Sequence, residues 1–256
     1  PTRRSSDLMF RRIFFTAVLA GLLGGLAISV VHEFTTTPII LHAEQFEGGA
    51  PAKAPIHNHG AYDRGINLIS PALAHGPKKT ADGGEAWGPG GGLERTLFTT
   101  LANILTGIGF ALILTACFAL SGRPINGQTG VLWGLAGFGI ASLAPSLGLP
   151  PEVPGSMAAD LASRQTWWFI CVIATAAGLW AMVFRNGAQW MIGGIVLIAA
   201  PHLLGAPRPE SVGGSVPPEI AAHFVAASLV TAAIFWCAIG WLSGTFWQRF
   251  AARSQG

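Results

Sequence analysis

Six long apolar segments dominate the sequence and limit what it can fold into. Each is about as long as a helix that crosses a bilayer, which needs ~20 predominantly apolar residues. They cover residues 11–32, 96–120, 129–149, 166–184, 189–205 and 221–246. We therefore expect an all-α fold, a polytopic integral membrane helix bundle with about six transmembrane helices.

The composition supports a membrane location and argues against nucleic acid as a partner. Hydrophobic residues make up 51% of the chain and charged residues only 11%, whereas a soluble domain carries about 25% charged residues. The net charge of +3 comes from basic residues dispersed at the membrane edges. Such residues orient helices in the lipid bilayer.

Acidic and basic residues lie on opposite sides of the predicted membrane. Eleven of the twelve acidic residues fall in the odd-numbered gaps between segments: Glu33, Glu44, Glu47, Asp63, Asp82, Glu85, Glu94, Glu152, Asp160, Glu210 and Glu219. The tails and even-numbered gaps hold Arg3, Arg4, Arg11, Arg12, Arg123, Arg185, Arg249 and Arg253, with only Asp7 opposing them. Because short loops rich in Lys and Arg stay cytoplasmic, both termini are predicted to be cytoplasmic.

The chain divides into five parts by composition. Residues 1–8 differ from the rest, and Met9 followed by a basic pair and an apolar run resembles a natural start, so we expect 1–8 to be a non-native leader. Residues 48–93 have too few apolar side chains to offset ordering entropy and predict a flexible Gly/Pro/His-containing periplasmic loop. The other parts are the first transmembrane helix with an acidic outer segment (9–47), a five-helix bundle (94–248) and a cytoplasmic tail (249–256).

Pairs of glycines four residues apart predict close helix packing. Small residues at this spacing let helices approach closely in a membrane. The pairs are Gly21/Gly25, Gly130/Gly134 and Gly240/Gly244. Chance is the alternative explanation in a chain with 34 glycines.

Signatures of enzymes and of disulfide frameworks are missing from the sequence. The cysteines Cys117, Cys171 and Cys237 lie singly in three apolar segments, so we expect them to be packing residues. Phosphate-loop, zinc-protease and serine-hydrolase motifs do not occur. The protein is therefore not expected to be an enzyme.

Two stretches of the sequence recur at an offset of 56 to 59 residues, which predicts a parallel two-helix repeat. Residues 144–152 parallel 200–210, and 158–165 parallel 217–224. Coincidence of Pro/Gly-rich turns remains the alternative. The repeat would place an acid at the outer start of each even segment: Glu94, Asp160 and Glu219. Pro145 and Pro201 would break segments three and five near their outer ends.

Histidines and acids near the outer boundary predict an outward-facing cation site. Imidazole and carboxylate ligands together suit divalent first-row metals such as Co, Ni and Zn. The candidates are His32, His42, His202, His223, Glu44, Glu47, Asp160 and Glu219. Glu219 and His223 lie four residues apart and hence on one helix face. For any single member, an interfacial residue with a local hydrogen bond is the alternative, and Asp160 is expected to pair with Arg164.

Four stretches of this sequence resemble the CbtA family of predicted cobalt transporter subunits. They are MFRRIFFTAVLAGLLGGLAISVV at 9–31, TPIILHAEQFE at 37–47, LAPSLGLPPEVPGSMAADLASRQTWW at 143–168 and PHLLGAP at 201–207. The resemblance implies cobalt uptake across the bacterial inner membrane for cobalamin synthesis. It also implies a partner, the small single-helix subunit CbtB, which has a His-rich terminus. The divalent cation, Co²⁺, would be cargo rather than a cofactor, and a homo-oligomer is left open.

The resemblance also carries over individual residues. Glu44 and Glu47 match the family's AExxE pattern, whereas the position of His42 is usually acidic in the family. Further matches are Asp160, Arg164, Gln165 and Trp167 in one block and Pro201 and His202 in another.

Two hypotheses of different classes follow. In the first, a six-helix subunit passes Co²⁺ inward. Glu44, Glu47 and the loop motif of His57 and His59, with His75 further along the loop, gather the ion. The residues that coordinate it are His202, Asp160, Glu219 and His223. Because no acid lies deep in a segment, a midplane site would use backbone carbonyls, Ser, Thr or Asn103. The alternative is a non-transporting structural or assembly membrane protein, favoured if the four coordinating residues lie far apart. A membrane enzyme lacks any nucleophile–base pattern.

Overall fold

The protein is helical throughout the part of the chain that the computed structural model describes, residues 2–46, 89–210 and 213–253. The helices are α1 (Thr2–Phe34), α2 (Thr36–Glu44), α3 (Leu93–Ser121), α4 (Gly127–Phe138), α5 (Ala144–Ser146), α6 (Leu161–Phe184), α7 (Ala188–Leu204) and α8 (Pro218–Arg253), with a π-helical segment at Gly139–Leu143 between α4 and α5. No strand occurs within these residues, apart from one isolated bridge between Ser156 and Gly214. The all-α prediction is confirmed for them.

Five helical stretches are long and apolar enough to cross a membrane. They are Asp7–Phe34, Leu93–Ser121, Gly127–Ser146, Leu161–Phe184 and Pro218–Ala252. The remaining predicted segment forms α7, which has 17 residues. At 1.5 Å per residue α7 is about 26 Å long, slightly shorter than a hydrocarbon core of about 30 Å. The chain is a multi-pass membrane protein.

Glycine contacts hold the helices together in antiparallel pairs. A Cβ atom on Gly21 or Gly25 of α1 would collide with the backbone of α3 at Ile108 and Ile104. In the same way, Cβ atoms on Gly130 and Gly134 of α4 would collide with the backbone of α8. The close-packing prediction is therefore confirmed for all three pairs: Gly21/Gly25, Gly130/Gly134 and Gly240/Gly244.

A further glycine contact, which the sequence analysis did not identify, joins α6 to α7. A Cβ atom on Gly178 would lie 2.6 Å from the carbonyl oxygen of Gly194, and one on Gly194 would lie 2.7 Å from that of Gly178. These glycines stand alone rather than four apart, so the GxxxG pattern does not detect them. Each of the antiparallel pairs α1–α3, α4–α8 and α6–α7 thus depends on glycine.

The antiparallel packing separates the charges along the bundle. At one end, the Arg12 side chain donates hydrogen bonds of 3.0 and 2.7 Å to the Trp247 carbonyl and lies 3.8 Å from the Trp247 ring centroid. Arg123 lies over the Phe184 ring, with its guanidinium carbon 4.4 Å from the centroid. At the other end of the bundle lie Glu33, in the last turn of α1, and Glu44, the last residue of α2. We call these the basic end and the acidic end.

The two prolines that were predicted to break helices behave differently. Pro145 follows the π-helical segment, in which the Ala144 N–H bonds to the Gly139 carbonyl, and the helix ends at Ser146. The wider π-helical turn accommodates Pro145, which has no backbone N–H to donate. Pro201 does not break α7, which continues for another turn to Leu204, so that prediction was wrong.

The short helix α2 is the element that sequence analysis missed. Its residues were predicted only as an acidic outer segment. The chain turns at Thr35, whose hydroxyl donates to the Val31 carbonyl at 2.7 Å. Ile39 and Ala43 of α2 are buried, so α2 lies against the bundle. Most of the predicted loop at 48–93 (residues 48–88) lies outside the described part, and its last residue, Leu93, begins α3. The helix α1 begins at Thr2, within the proposed leader.

The glycine packing predicts a large difference between two neighbouring positions of α3. Gly107→Leu should destabilise the bundle by about 1–3 kcal/mol or more, because its side chain would overlap the Gly21 backbone. Gly109→Leu is the matched control, since a Cβ atom there meets nothing within 4 Å. Unfolding of both variants in mixed micelles measures the difference. Equal stability would contradict the role of Gly107.

Candidate functional site

A partly polar cavity of about 490 Å³ lies between α1, α2, α3 and α8, near the acidic end. Its polar lining residues are His32, Thr36, Thr37, Arg95, Thr99, Asn103, Thr106, Ser142, Ser228 and Thr231. Aliphatic and aromatic side chains complete the wall. A cavity with convergent hydroxyl, amide and imidazole groups is the strongest candidate for a binding site in the described residues.

Helix periodicity aligns the lining residues in stripes. Residues 95, 99, 103, 106 and 110 of α3 recur at intervals of three or four, which places them on one helix face. Residues 224, 228, 231 and 235 of α8 form the second stripe. The α3 stripe covers about 22 Å of helix at 1.5 Å per residue. The lining therefore extends from the acidic end to the middle of the bundle.

Aromatic residues form the inner wall of the cavity. The ring centroids of Phe110 and Trp236 are 4.7 Å apart, and those of Phe110 and Phe235 are 6.3 Å apart. The Trp236 indole N–H donates to the Ser142 hydroxyl at 3.2 Å. Trp236 packs directly against Gly137, where a Cβ atom would overlap its ring. The cavity thus changes from polar near the acidic end to aromatic deeper inside.

His32 and Asn103 make a polar contact across the α1–α3 interface. The Asn103 amide nitrogen lies 3.0 Å from the Ser29 hydroxyl and 3.3 Å from His32 Nδ1. Ser29 in turn donates to the Gly25 carbonyl at 2.8 Å. The amide therefore fixes the orientation of the imidazole at the cavity wall. His32 was a predicted ligand, and Asn103 was the amide predicted for a deeper site.

An ion pair connects α2 to α3 at the acidic end of the cavity. Glu44 receives hydrogen bonds from both terminal nitrogens of Arg95, at 3.0 and 2.5 Å. Each side chain is about one-third exposed. Nearby, the Thr96 hydroxyl donates to Glu33 at 3.2 Å. Glu44 is thus occupied by a cation of the chain itself, which the sequence analysis did not anticipate.

Asp160 serves as the N-cap of α6. Its carboxylate accepts the backbone N–H and the hydroxyl of Ser163, both at 3.0 Å. These hydrogen bonds hold the pKa of Asp160 below its usual value. Arg164 pairs with Glu152 at 2.8 Å. The predicted pairing of Asp160 with Arg164 was therefore wrong, because a capping carboxylate points towards the helix N-terminus.

Three predicted ligands lie on the surface. His42 is exposed and stacks on Phe46, with 5.6 Å between the ring centroids. Glu219 and His223 are exposed in the first two turns of α8. Glu47 and the loop histidines His57, His59 and His75 lie outside the described residues.

His202 contacts two residues of α6. Its Nε2 lies 3.8 Å from the Cys171 sulfur, and its ring packs edge to face with Trp167 at 5.7 Å between centroids. The Trp167 indole N–H donates to the Pro201 carbonyl at 3.2 Å. His202 was a predicted ligand, whereas Cys171 was predicted to be a packing residue. Only the pairing of α6 with α7 brings the two together.

The predicted outward-facing metal ligands do not form a cluster in the described residues. No group of three or more His, Cys, Asp and Glu side chains within this part of the chain is arranged to hold a metal ion. The predicted convergence of His202, His223, Asp160 and Glu219 is therefore not found. Any ion site in these residues must rely on hydroxyl, amide or carbonyl oxygens and on smaller sets of imidazole and sulfur ligands.

If Asp160 acts as an N-cap rather than as a metal ligand, its replacement by Ala and its replacement by Asn should affect stability differently. Asp160→Ala should lower the thermal stability of α6, whereas Asp160→Asn should retain most of it because Asn is also a good N-cap. In the parent, the lowered pKa contributes stability above the unfolded-state pKa of about 3.9, and this is lost as the pH falls through the folded-state value. Melting curves against pH measure both effects, with Asp160→Asn as the non-titrating control. Equal destabilisation by both substitutions would contradict capping.

Comparison with known proteins agrees with the architecture. The family described as "Probable cobalt transporter subunit (CbtA)" matches residues 10–248, which is nearly the whole chain. Searches of the curated proteins and of the solved structures gave no match. Because the family match covers far more than half of the chain, this protein belongs to the CbtA family of probable cobalt transporter subunits.

Proposed function

We propose that this protein is the membrane-embedded subunit of a divalent metal uptake transporter that carries Co²⁺ across the bacterial inner membrane. The chain would cross the membrane six times, with α7 as the short crossing and both termini in the cytoplasm. The observation that carries the proposal is the polar cavity that begins at the acidic end of the bundle. Family membership supports cobalt as the cargo.

The acidic end would face the periplasm and attract the cation. Surface carboxylates of one sign raise the local concentration of an oppositely charged ion. Glu47, Asp160 and Glu219, together with His42 and His223, would act here as weak surface contacts that deliver the ion. This role requires attraction over a distance and no common coordination sphere, so it agrees with the lack of a three-ligand His, Cys, Asp and Glu group among the described residues.

Neutral ligands would hold the ion within the membrane. Charged side chains in the bilayer interior are expensive. Apart from Arg95 at the mouth, the polar lining of the cavity consists of hydroxyl, amide and imidazole groups. Asn103, Thr99, Thr106, Ser228 and Thr231 would replace part of the hydration shell. A hydrated or partly hydrated divalent ion fits within a volume of about 490 Å³.

His32 would supply the nitrogen ligand. Metal binding through Nε2 requires the tautomer with its proton on Nδ1, which would donate to the Asn103 side-chain oxygen after an amide rotation. Such outer hydrogen bonds orient a ligating imidazole. His32 lies close enough to Asn103, at 3.3 Å from Nδ1, for this arrangement.

The Glu44–Arg95 pair would neutralise the cavity mouth. Arg95 lines the cavity, and its positive charge would repel an incoming cation. Glu44 compensates this charge at hydrogen-bond distance. Glu44 therefore acts on the transported ion through Arg95, in addition to the gathering role that its sequence position suggested.

The partner would be the small single-helix subunit with a His-rich terminus, CbtB. The phosphate-binding loop of transport ATPases is missing from this sequence, so a nucleotide-driven step would require another subunit. A His-rich segment at the periplasmic face would present imidazoles to the acidic end and pass the ion to the cavity.

A structural or assembly role without permeation is the second candidate. The observation that favours it is that no group of three or more His, Cys, Asp and Glu ligands occurs in the described residues. Cells that express the chain with its partner distinguish the two: transport requires accumulation of radioactive cobalt above the empty-vector level. No accumulation by the wild type would support the structural role.

If Glu44 acts by neutralising Arg95, then replacing Arg95 should restore cobalt uptake in a Glu44 variant. Glu44→Gln should lower cobalt uptake by roughly tenfold, as expected for about 1.4 kcal/mol of added repulsion from an unpaired Arg95. The double variant Glu44→Gln/Arg95→Gln should recover most of this loss. Initial uptake rates of radioactive cobalt at fixed expression level measure both. If the double variant stays as low as the single variant, Glu44 binds the ion directly.

The ligand role of His32 predicts a position-specific loss. His32→Ala should lower cobalt uptake by at least about tenfold, comparable to the loss of an important contact at a metal site. His42→Ala is the comparison variant and should lower uptake much less, because His42 is exposed, stacks on Phe46 and would contact the ion only weakly. Uptake rates over a range of cobalt concentrations separate KM from kcat effects. An equal loss in the two variants would exclude a specific role for His32.

A further inference from the structure

The α6–α7 interface contains a buried contact between sulfur and imidazole that the cavity mechanism does not use. Cys171 is fully buried, and its sulfur lies 3.8 Å from His202 Nε2. Both groups are ligands for first-row metals once the thiol has lost its proton. The 3.8 Å separation is that of a hydrogen bond between the thiol and the imidazole, and the same two atoms can hold a metal ion in place of the proton.

The separation of the two atoms fits a shared metal ion. Bonds of about 2.3 Å to sulfur and about 2.0 Å to nitrogen give an angle of about 120° when the two ligands are 3.8 Å apart. This angle lies near those of tetrahedral and trigonal sites. A linear two-ligand site would require a longer separation of about 4.3 Å.

A third polar group, the Thr175 hydroxyl, lies beside Cys171. Thr175 lies one turn beyond Cys171 on α6 and is only 4% exposed. Its hydroxyl faces the Cys171 thiol and has no other hydrogen-bond partner among the described residues. A buried hydroxyl without a firm partner is costly, and a metal ion or a metal-bound water would satisfy it.

A surface cavity lies next to the residues that pack on the pair. A surface cavity of about 810 Å³ is lined by Trp167, Ser163, Thr166 and the segment 204–208. Trp167, which lines this cavity, contacts the His202 ring edge to face. His202 itself is only partly buried.

We infer that Cys171 and His202, with the Thr175 hydroxyl, form a binding site for a thiophilic divalent ion such as Co²⁺ or Zn²⁺. As a station for the transported ion, the site rests on the proposed function; as a metal site, it does not. Binding releases the thiol proton to water and leaves a thiolate–metal bond. Sulfur ligation disfavours Mg²⁺ and Ca²⁺, which prefer oxygen. The site therefore supplies selectivity that an oxygen-lined cavity lacks.

Cobalt spectroscopy of the full chain in detergent tests the site. Addition of CoCl₂ to the wild type should produce a near-ultraviolet thiolate-to-cobalt charge-transfer band that a large excess of Mg²⁺ does not remove. Cys171→Ser should abolish the band, and His202→Ala should weaken cobalt binding by at least about tenfold. Thr175→Val should weaken it less. Cys117→Ser and Cys237→Ser are the matched controls and should retain the band.

A second measurement keeps the inference falsifiable if a variant is poorly folded. X-ray absorption of the zinc-loaded wild type should show one sulfur at about 2.3 Å and nitrogen or oxygen at about 2.0 Å. A shell of nitrogen and oxygen only, or a band that persists in folded Cys171→Ser, overturns the site. Cobalt uptake is scored separately in cells. A band without wild-type uptake refutes the transport proposal and leaves the metal site standing, whereas uptake without a band does the reverse.

Discussion

Close backbone contact at glycines is the interaction on which the rest of this structure depends. In a membrane, an apolar side chain gains no hydrophobic free energy when it moves from lipid to a helix interface. Close packing must therefore supply the association energy. Gly21 and Gly107 bring α1 and α3 together, Gly130 and Gly240 bring α4 to α8, and Gly178 and Gly194 join α6 to α7. In each pair a carbonyl of one helix occupies the space where a Cβ atom would be.

The polar cavity is a consequence of where these contacts lie. Between α1 and α3 they occur from Gly25 towards the basic end, and next to α8 they lie around Gly130 and Gly240. Near the acidic end the helices instead present His32, Asn103 and Thr231, and α2 lies beside them. The helices are thus tightly packed in one half and separated by polar side chains in the other. Trp236 lies at the inner wall of the cavity, between the two halves, because Gly137 leaves room for its ring.

The chemistry of the protein follows from the expense of charge in lipid. Acidic residues lie at helix ends and in connections, where water screens them, and several are occupied by the fold itself. Asp160 caps α6 and Glu44 pairs with Arg95. Inside the bundle the available ligands are neutral oxygens, His32 and the Cys171–His202 pair. These groups can hold a divalent ion without an uncompensated buried charge when the ion is absent.

The sequence by itself determined the helical class, the positions of the apolar segments, the charge asymmetry and three glycine contacts. These features are local, because hydropathy and the spacing of residues along one helix specify them. Only the tertiary structure decided which helices pair, where α2 lies, that Asp160 is a cap, and that Cys171 meets His202. Those facts depend on contacts between residues far apart in the chain, such as Glu44 with Arg95 and Arg12 with Trp247. An apolar segment does not specify which helix packs against it, because the apolar surfaces of membrane helices have similar compositions.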